Sequence, residues 1–318
     1  MISERFTKHF LLSHIYKMLF IGACILGLLV VIAILLYHSF NGWLKDIFRH
    51  PNYFDGLEVS DRPRIVITMT TSPKRLSKIK PVIDSIMTQT VLPDIIYLNI
   101  PKVFKRTEEV FDGTLPMFIV MNHLIHINVC EDIGPATKVL PVLELETDPE
   151  TCIVSIDDDL SYDNTMINTL IGYSMVFPDM VIGGHSQKKY RYRGQLLDDI
   201  NEIARQNNLK TDDNYLSTYI MGFCAVAYRR KHLEDFDYSV LENRNCYLVD
   251  DYTISNHLNK KNITILIVEL LFVNRILLYG KQSDALHKGA NGAAGGHGND
   301  HNDQLCRQYL QENNKLYF

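Results

Sequence analysis

The sequence predicts an α/β domain on a mainly parallel central sheet flanked by helices, preceded by one membrane-crossing N-terminal helix. Three observations carry this expectation. From residue 64 onward, short apolar β-branched runs alternate with segments of helical periodicity, the pattern of βαβ units and a parallel sheet. One of these runs, TCIVSIDDDL at 151–160, ends in three consecutive carboxylates. The stretch MLFIGACILGLLVVIAILLY at 18–37 carries no charge, and about 20 apolar residues suffice to cross a bilayer as a helix.

The N-terminal segment comes first in the chain. Its apolar run is longer than a signal-peptide core and no small-residue cleavage pattern follows, so it reads as an uncleaved anchor. Arg5, Lys8 and Lys17 precede it, against Lys45 and Arg49 just after. That slight bias favours a cytoplasmic tail at 1–17 and places everything beyond the span on the far side of the membrane. Residues 38–63 form a mixed polar and aromatic stem, and 64–318 the folded domain. Ile263 to Val273 is broken by Glu269 and followed by Arg275, which makes it a core strand and not a second span. Asn262-Ile263-Thr264 is a glycosylation sequon, usable if its loop is accessible and lumenal.

Within the domain, RIVITMT at 64–70 is the first strand. Ser72-Pro73 then supplies an N-cap with proline at the first helical position. Leu76, Ile79, Ile83, Ile86 and Met87 recur at helical spacing through Thr88. IIYLNI at 95–100 and Ile125 to Val129 are further strands, and Gly134-Pro135 opens another helix. The acid-tipped strand follows, then a helix capped by Asp163 or Asn164 and carrying Met166, Ile167, Leu170, Ile171 and Ser174 on one face. Asp250 and Asp251 begin a helix that continues through Tyr252, Ile254 and Leu258. There is no internal repeat, and the low-complexity piece is GANGAAGG at 289–296.

Composition narrows the function classes. The chain has 318 residues, a formal net charge of −5 and a pI near 6.2, a balance that argues against an electrostatic nucleic-acid binder. Six cysteines show no CxxC or zinc-like spacing, so a disulfide framework is not supported, although an isolated disulfide is allowed. The acidic triplet is the main chemical signal. Ligands of open α/β sheets bind outside the carboxyl ends of the strands. Three adjacent carboxylates repel one another unless a cation compensates, and magnesium or manganese is the natural one. A solvated acidic turn accounts for the triplet equally well. For Asp250 and Asp251, capping and the helix dipole are sufficient reasons by themselves.

Taken in order, RIVITMTTSPKR, DIIYLNIP, the Gly-Pro-Ala-Thr-Lys turn, IDDD and the later Val-Asp-Asp-Tyr pair resemble a GT-A glycosyltransferase, a nucleotide-diphospho-sugar transferase, over about residues 64 to 310. An anchor followed by a stem fits the type II layout of secretory-pathway members, with a lumenal catalytic domain at the Golgi or endoplasmic reticulum membrane. The resemblance implies that Asp157 and Asp159 match the outer positions of the DxD motif and hold Mn2+ or Mg2+, which in turn holds the donor diphosphate. Asp158, at the variable middle position, faces the ribose or solvent. Thr70, Thr71 and Arg75, where the first strand meets the first helix, grip the nucleotide or simply cap the helix. Lys138 contacts the nucleotide or diphosphate, or is a solvated helix lysine. Asp251, with Asp250 beside it, matches the general base of inverting members, which deprotonates the acceptor hydroxyl. Residues 219–225 wall the acceptor pocket, where Gly222 permits close approach or marks a bulge. One tail histidine, His287, His297 or His301, completes the metal shell, with His297 the choice made here; the surrounding glycines form a flap over the donor.

The implied activity is metal-dependent hexosyl transfer to a hydroxyl of a glycan or glycoconjugate, inverting. Partners are then a nucleotide-sugar, that acceptor and the lipid bilayer, with no nucleic acid. Two other classes stay open on the residues: a metal-dependent phosphoester or sugar-phosphate hydrolase using the same acids, and a non-catalytic carbohydrate-binding module. Neutral glycan recognition, however, has no need of the acids or of the Lys138 turn.

Overall fold

The computed structural model describes residues 62–270 and 299–318, together with Gly27 and residues 30–32. The chain divides into two compact units, 1–49 and 50–318. In the first, Gly27 and residues 30–32 are helical and exposed; the rest of the expected 18–37 span and the stem to residue 61 lie outside the described residues. Among the described residues, no helix is long and apolar enough to cross a membrane. The glycine-rich segment 289–296, His287 and His297 also lie outside them.

The second unit is built on strands β1 (Ile65–Thr70), β2 (Ile95–Pro101), β3 (Val103–Phe104), β4 (Glu109–Val110), β5 (Ile125–Cys130), β6 (Cys152–Ser155), β7 (Val181–Gly183), β8 (Arg191–Tyr192), β9 (Tyr215–Ser217), β10 (Val226–Arg229) and β11 (Ile265–Ile267). Its helices are α1 (Lys80–Met87), α2 (Met117–Val120), α3 (Met166–Val176), α4 (Gln195–Gln206), α5 (Arg244–Tyr247), α6 (Asp250–Lys260) and α7 (Asn299–Glu312). Among the described residues, nine strands form one sheet in the order β5-β2-β1-β6-β10-β7-β11-β9-β8, while β3 and β4 pair separately.

The parallel half is the expected one: β5, β2, β1 and β6 run in the same direction. The apolar residues of β2, β1 and β6 are buried on both faces, as interior parallel strands require, while β5 at the edge is half-buried and leaves Val129 exposed. Alternation along β1 sends Ile65, Ile67 and Met69 into one core cluster and Val66 into the other. Each such aliphatic side chain is worth roughly 1.5–3 kcal/mol of burial. The other half of the sheet is not simply parallel. β10 lies antiparallel between β6 and β7, β11 is parallel to β7, and β9 and β8 add antiparallel pairs at the edge. Thus the acid-tipped β6 lies where the parallel half ends, a place where the loops on either side diverge and leave a crevice.

Three elements depart from expectation, each for a local reason. The single helix expected over 72–88 is two pieces, a 3-10 segment Pro73–Lys78 and α1. Pro81 lacks the N–H that would reach back to Ser77, and its ring crowds that carbonyl. Ser72 occupies the N-cap position with no side-chain cap bond. The helix expected from Gly134 is instead two 3-10 turns, Gly134–Lys138 and Leu140–Glu144, with Pro135 and Pro141 each near a start. Of the run expected from Ile263 to Val273, the described part up to residue 270 contributes Ile265–Ile267 as strand, and the remainder lies outside the described residues.

Two buried histidines tie the loop after β10 to α6. His232 Nδ1 accepts the Arg229 N–H at 3.1 Å and its Nε2 faces the Pro178 carbonyl, while His257 Nε2 faces the His232 carbonyl at 3.1 Å. Burial lowers both pKa values from 6.5 to about 4. A depressed histidine pKa gives stability that is complete above pH 6.5 and is lost as pH falls toward 4, because the unfolded chain protonates first. Chemical denaturation should therefore show the protein losing on the order of a few kcal/mol between pH 7 and pH 4.5. The double variant His232→Gln/His257→Gln should flatten that part of the profile; an unchanged slope would show that other groups carry it.

Candidate active site

The polar groups that set the site lie on one face of the parallel sheet. Thr68 on β1 and Asn99 on β2 share that face, and Asn99 pairs in register with Asn128 on β5. Asn128 Nδ2 donates to Asn99 Oδ1 at 2.9 Å, Asn99 Nδ2 donates to Thr68 Oγ1 at 2.9 Å, and Thr68 Oγ1 donates to the Lys138 carbonyl at 2.6 Å. This buried chain fixes the backbone of the Gly134–Lys138 turn against the sheet. Gly134 is needed where it stands: its φ is +74°, and a Cβ would lie 2.1 Å from the Tyr247 carbonyl oxygen.

The turn delivers the Lys138 ammonium to the end of β6. Its Nζ lies 3.1 Å from Asp157 Oδ1 and 2.9 Å from Asp250 Oδ2. The same cation therefore joins the acidic turn to the first residue of α6. Burial opposes its charge, but Asp157, Asp250 and Asp251 together hold its pKa well above the ordinary lysine value. A solvated helix lysine, one of the two expectations for Lys138, is thereby corrected.

The three acids of the turn face different ways. Asp158 points inward: Arg75 Nη2 lies 2.6 Å from its Oδ1, and Thr71 Oγ1 donates to its Oδ2 at 2.6 Å. Burial raises its pKa to about 6 against the pull of Arg75. Solvent exposure of Asp158 is not what the fold provides. Asp157 and Asp159 stay reachable, with side chains 30% and 41% exposed. Asp159 lies 3.4 Å from Arg75 Nη2, and its pKa is raised by burial and by the charge of Asp157. Tyr162 supports the turn from below, accepting the Asp157 N–H and donating to the Phe223 carbonyl.

Asp251 completes the constellation. Its Oδ1 accepts the Gly222 N–H at 2.8 Å. Burial, followed by the neighbouring charge of Asp250, raises its pKa above the carboxylate range, with Lys138 and that N–H pulling the other way. Gly222 is the close approach that the sequence allowed for: a Cβ would lie 2.5 Å from Lys138 Nζ and 3.1 Å from Asp251 Oδ1. The segment Gly222–Cys224 is a short 3-10 turn and not a strand bulge.

The fold thus gathers Thr71, Arg75, Lys138, Asp157, Asp158, Asp159, Asp250 and Asp251. Thr70 is close by in sequence, but its hydroxyl donates to the Asn99 carbonyl at 2.9 Å, within the sheet. His301 is a half-buried residue of α7. Sequence reasoning did not find Thr68, Asn99, Asn128 or Tyr162; asparagine inside an otherwise apolar strand was the available signal for Asn99.

Five carboxylates face two cations here: Asp157, Asp158, Asp159, Asp250 and Asp251 against Arg75 and Lys138. Among the described residues no group of three histidine, cysteine or acidic side chains could hold a metal by itself. The reachable pair Asp157 and Asp159 is instead the donor set suited to magnesium or manganese, which take one or two carboxylates and fill their remaining positions from phosphate and water.

No family description and no curated protein matches the chain. Among solved structures it is similar to mannosyltransferase PcManGT from Pyrobaculum calidifontis in complex with GDP-Man and Mn2+, at 15% identity over 74% of this chain and 62% of that chain, TM-score 0.41. It is also similar to GalNAc-T7 with UDP, GalNAc and Mn2+, at 11% identity over 71% and 46% of the two chains, TM-score 0.47. For S. aureus TarS 1-349 the values are 11% identity, 65% and 58%, and 0.41. The chain spans 46 to 62% of the length of these proteins. Likeness of this extent carries no activity or ligand across.

Removing the shared cation leaves Asp157 and Asp250 facing each other without compensation. Lys138→Met should therefore destabilise the domain by roughly 3–5 kcal/mol in urea melts at pH 7. Adding Asp250→Asn to it should recover part of the loss. Two independent, additive effects would show that Lys138 does not bridge the acids.

Proposed function

We propose that the domain is a GT-A-type glycosyltransferase that moves a sugar from a nucleotide-diphosphate donor to a hydroxyl of a glycan or glycoconjugate, with inversion and with Mn2+ or Mg2+. The observation that carries this reading is the pairing of a reachable acidic turn with a half-buried, raised-pKa carboxylate, Asp251, whose neighbour Asp250 is joined to that turn by Lys138. A non-catalytic binding module has no comparable use for a second, separately tuned acid. Asp157 and Asp159 would hold the divalent cation, which supplies charge neutralisation and a template at the leaving diphosphate. Arg75 and Thr71 hold Asp158 rigid behind them.

The acceptor chemistry falls to Asp251. With Oδ1 fixed by the Gly222 N–H, Oδ2 accepts the proton of the attacking hydroxyl. The acceptor oxygen bonds to the anomeric carbon as the bond from that carbon to the diphosphate oxygen breaks on the opposite face. The electron pair leaves with the nucleotide, and the configuration inverts. Asp250 pairs with Lys138 at 2.9 Å and keeps the start of α6 in place. A base works best when its pKa lies near the working pH, and the raised value of Asp251 moves it in that direction.

The placement proposed for the protein is type II, with the anchor at 18–37 and the domain in the lumen of the Golgi or endoplasmic reticulum. The Cys246–Cys306 disulfide, which ties α5 to α7, supports an oxidising compartment. Asn262 of the sequon is exposed on the turn after α6, with φ 55°, so a glycan there meets no packed surface.

Asp251→Asn keeps the shape and removes the proton acceptor. Turnover with nucleotide-sugar and a glycan acceptor mixture should fall about 100-fold or more while donor affinity holds. Wild-type kcat should climb with pH well beyond pH 5, where an ordinary carboxylate would already have levelled off near its usual pKa of about 4. The stability effect has the opposite sign: a raised folded pKa favours the fold at low pH and is lost as pH rises through it. The asparagine variant should accordingly gain thermal stability over wild type as pH increases from 4 to 8. Full activity in the variant would eliminate Asp251 as base.

A further inference from the structure

The segment Lys188-Lys189-Tyr190-Arg191-Tyr192-Arg193 places four cations and no acid in six residues of a chain whose net charge is −5. It is firmly held. Arg191 and Tyr192 form β8, paired in register with Ser217 and Leu216 of β9. Arg191 donates through Nη2 to the Ser186 carbonyl at 2.8 Å, and its guanidinium lies 4.1 Å from the centre of the Tyr215 ring. Lys188, Lys189, Tyr192 and Arg193 are exposed. Among the described residues no carboxylate forms an ion pair with Lys188, Lys189 or Arg193.

This arm adjoins the base. The Tyr190 ring stacks on Tyr219 at 4.7 Å and 13°, and Tyr219 packs at 6.3 Å on Tyr252, the residue after Asp251. Tyr219 also lies three residues before Gly222, whose N–H holds Asp251. The Met221 N–H donates to the His185 carbonyl at the root of the arm. A general base and the hydroxyl that it deprotonates must share a side of the site. The donor diphosphate is drawn instead to the Asp157–Asp159 side. The cations therefore stand on the side from which an acceptor would approach, beside the exposed ring of Tyr192, which suits a sugar face, while Tyr190 is held in its stack with Tyr219 and Phe318.

We propose that residues 188–193 form the acceptor-recognising wall of the site and select a glycan that carries negative charge, as carboxylate, sulfate or phosphate groups. The inference rests on the transferase function proposed for the site. Lysines on an edge strand also discourage pairing with another chain, a role that predicts aggregation on their removal and no effect on glycans. The wall is preformed, so little ordering cost opposes binding.

The test is a calorimetric titration of the full-length protein in detergent with carboxylated, sulfated and phosphorylated hexasaccharides and with the uncharged hexasaccharide of the same backbone. At least one charged ligand should bind about tenfold or more tightly than the uncharged one, as expected for three modest ion pairs, and this margin should shrink with salt. The variant Lys188→Gln/Lys189→Gln/Arg193→Gln should lose the margin, whereas Lys80→Gln on α1 keeps it. Absence of a margin in the wild type, or its survival in the triple variant, overturns the proposal. So does arm-dependent binding to phosphatidylserine vesicles with no glycan preference. A margin that depends on the arm, in a protein that turns over no nucleotide-sugar, would uphold anionic-glycan recognition and overturn the transferase function. Transfer to uncharged acceptors alone would do the reverse.

Discussion

The ammonium of Lys138 is the contact on which the site depends. Two carboxylates from distant parts of the chain, the half-exposed Asp157 and the buried Asp250, are held at one place because this cation lies between them. A buried ion pair gains little net stability over an apolar contact, yet losing one partner is costly. Its effect here is positional. It sets α6 against the end of β6, and so sets Asp251 against Gly222. The chain Asn128–Asn99–Thr68 holds the lysine's backbone from behind, leaving the cation little freedom to follow either acid away.

The charge balance follows from that arrangement. Arg75 is committed to Asp158 and, more distantly, Asp159, and Lys138 to Asp157 and Asp250. The surplus negative charge falls on the reachable carboxylates and on Asp251. The consequence is chemical: Asp159 and Asp251 hold protons more tightly than ordinary acids do. Function-bearing strain of this kind is opposed by the apolar packing on both faces of β1 and β6.

Much of this was legible in the sequence, for identifiable reasons. Runs of β-branched residues located β1, β2 and β6, because strands buried on both faces leave no alternation to misread, and the half-buried edge strand β5 was found by the same apolar spacing. The acids stood at a strand end and at a helix start, and both were found there. What escaped was non-local or depended on a single residue. Pro81 splits a helix whose apolar spacing alone looked continuous. The inward turn of Asp158 depends on Thr71 and Arg75, residues far away in the chain, 87 positions for Thr71, that the sequence offered as nucleotide contacts. Cys246 and Cys306 carry no spacing signal, since only folding brings α5 and α7 together. The antiparallel insertion of β10 likewise has no mark in its own apolar composition. The basic arm at 188–193 was not singled out in the sequence, because only the stacking of Tyr190 on Tyr219 brings it toward the loop that holds Asp251.

The central claim is that the turn at the end of β6 holds a nucleotide-sugar through a divalent cation. Calorimetric titration of nucleotide-diphosphate-sugars into the wild type and into Asp159→Ala, with manganese and with chelator, tests it most directly. The wild type should bind one donor with manganese and lose it to chelator. The variant should remain folded and bind none, since removing one of two reachable carboxylates halves the donor set. Donor binding that persists through both chelation and Asp159→Ala would contradict the metal-bridged site.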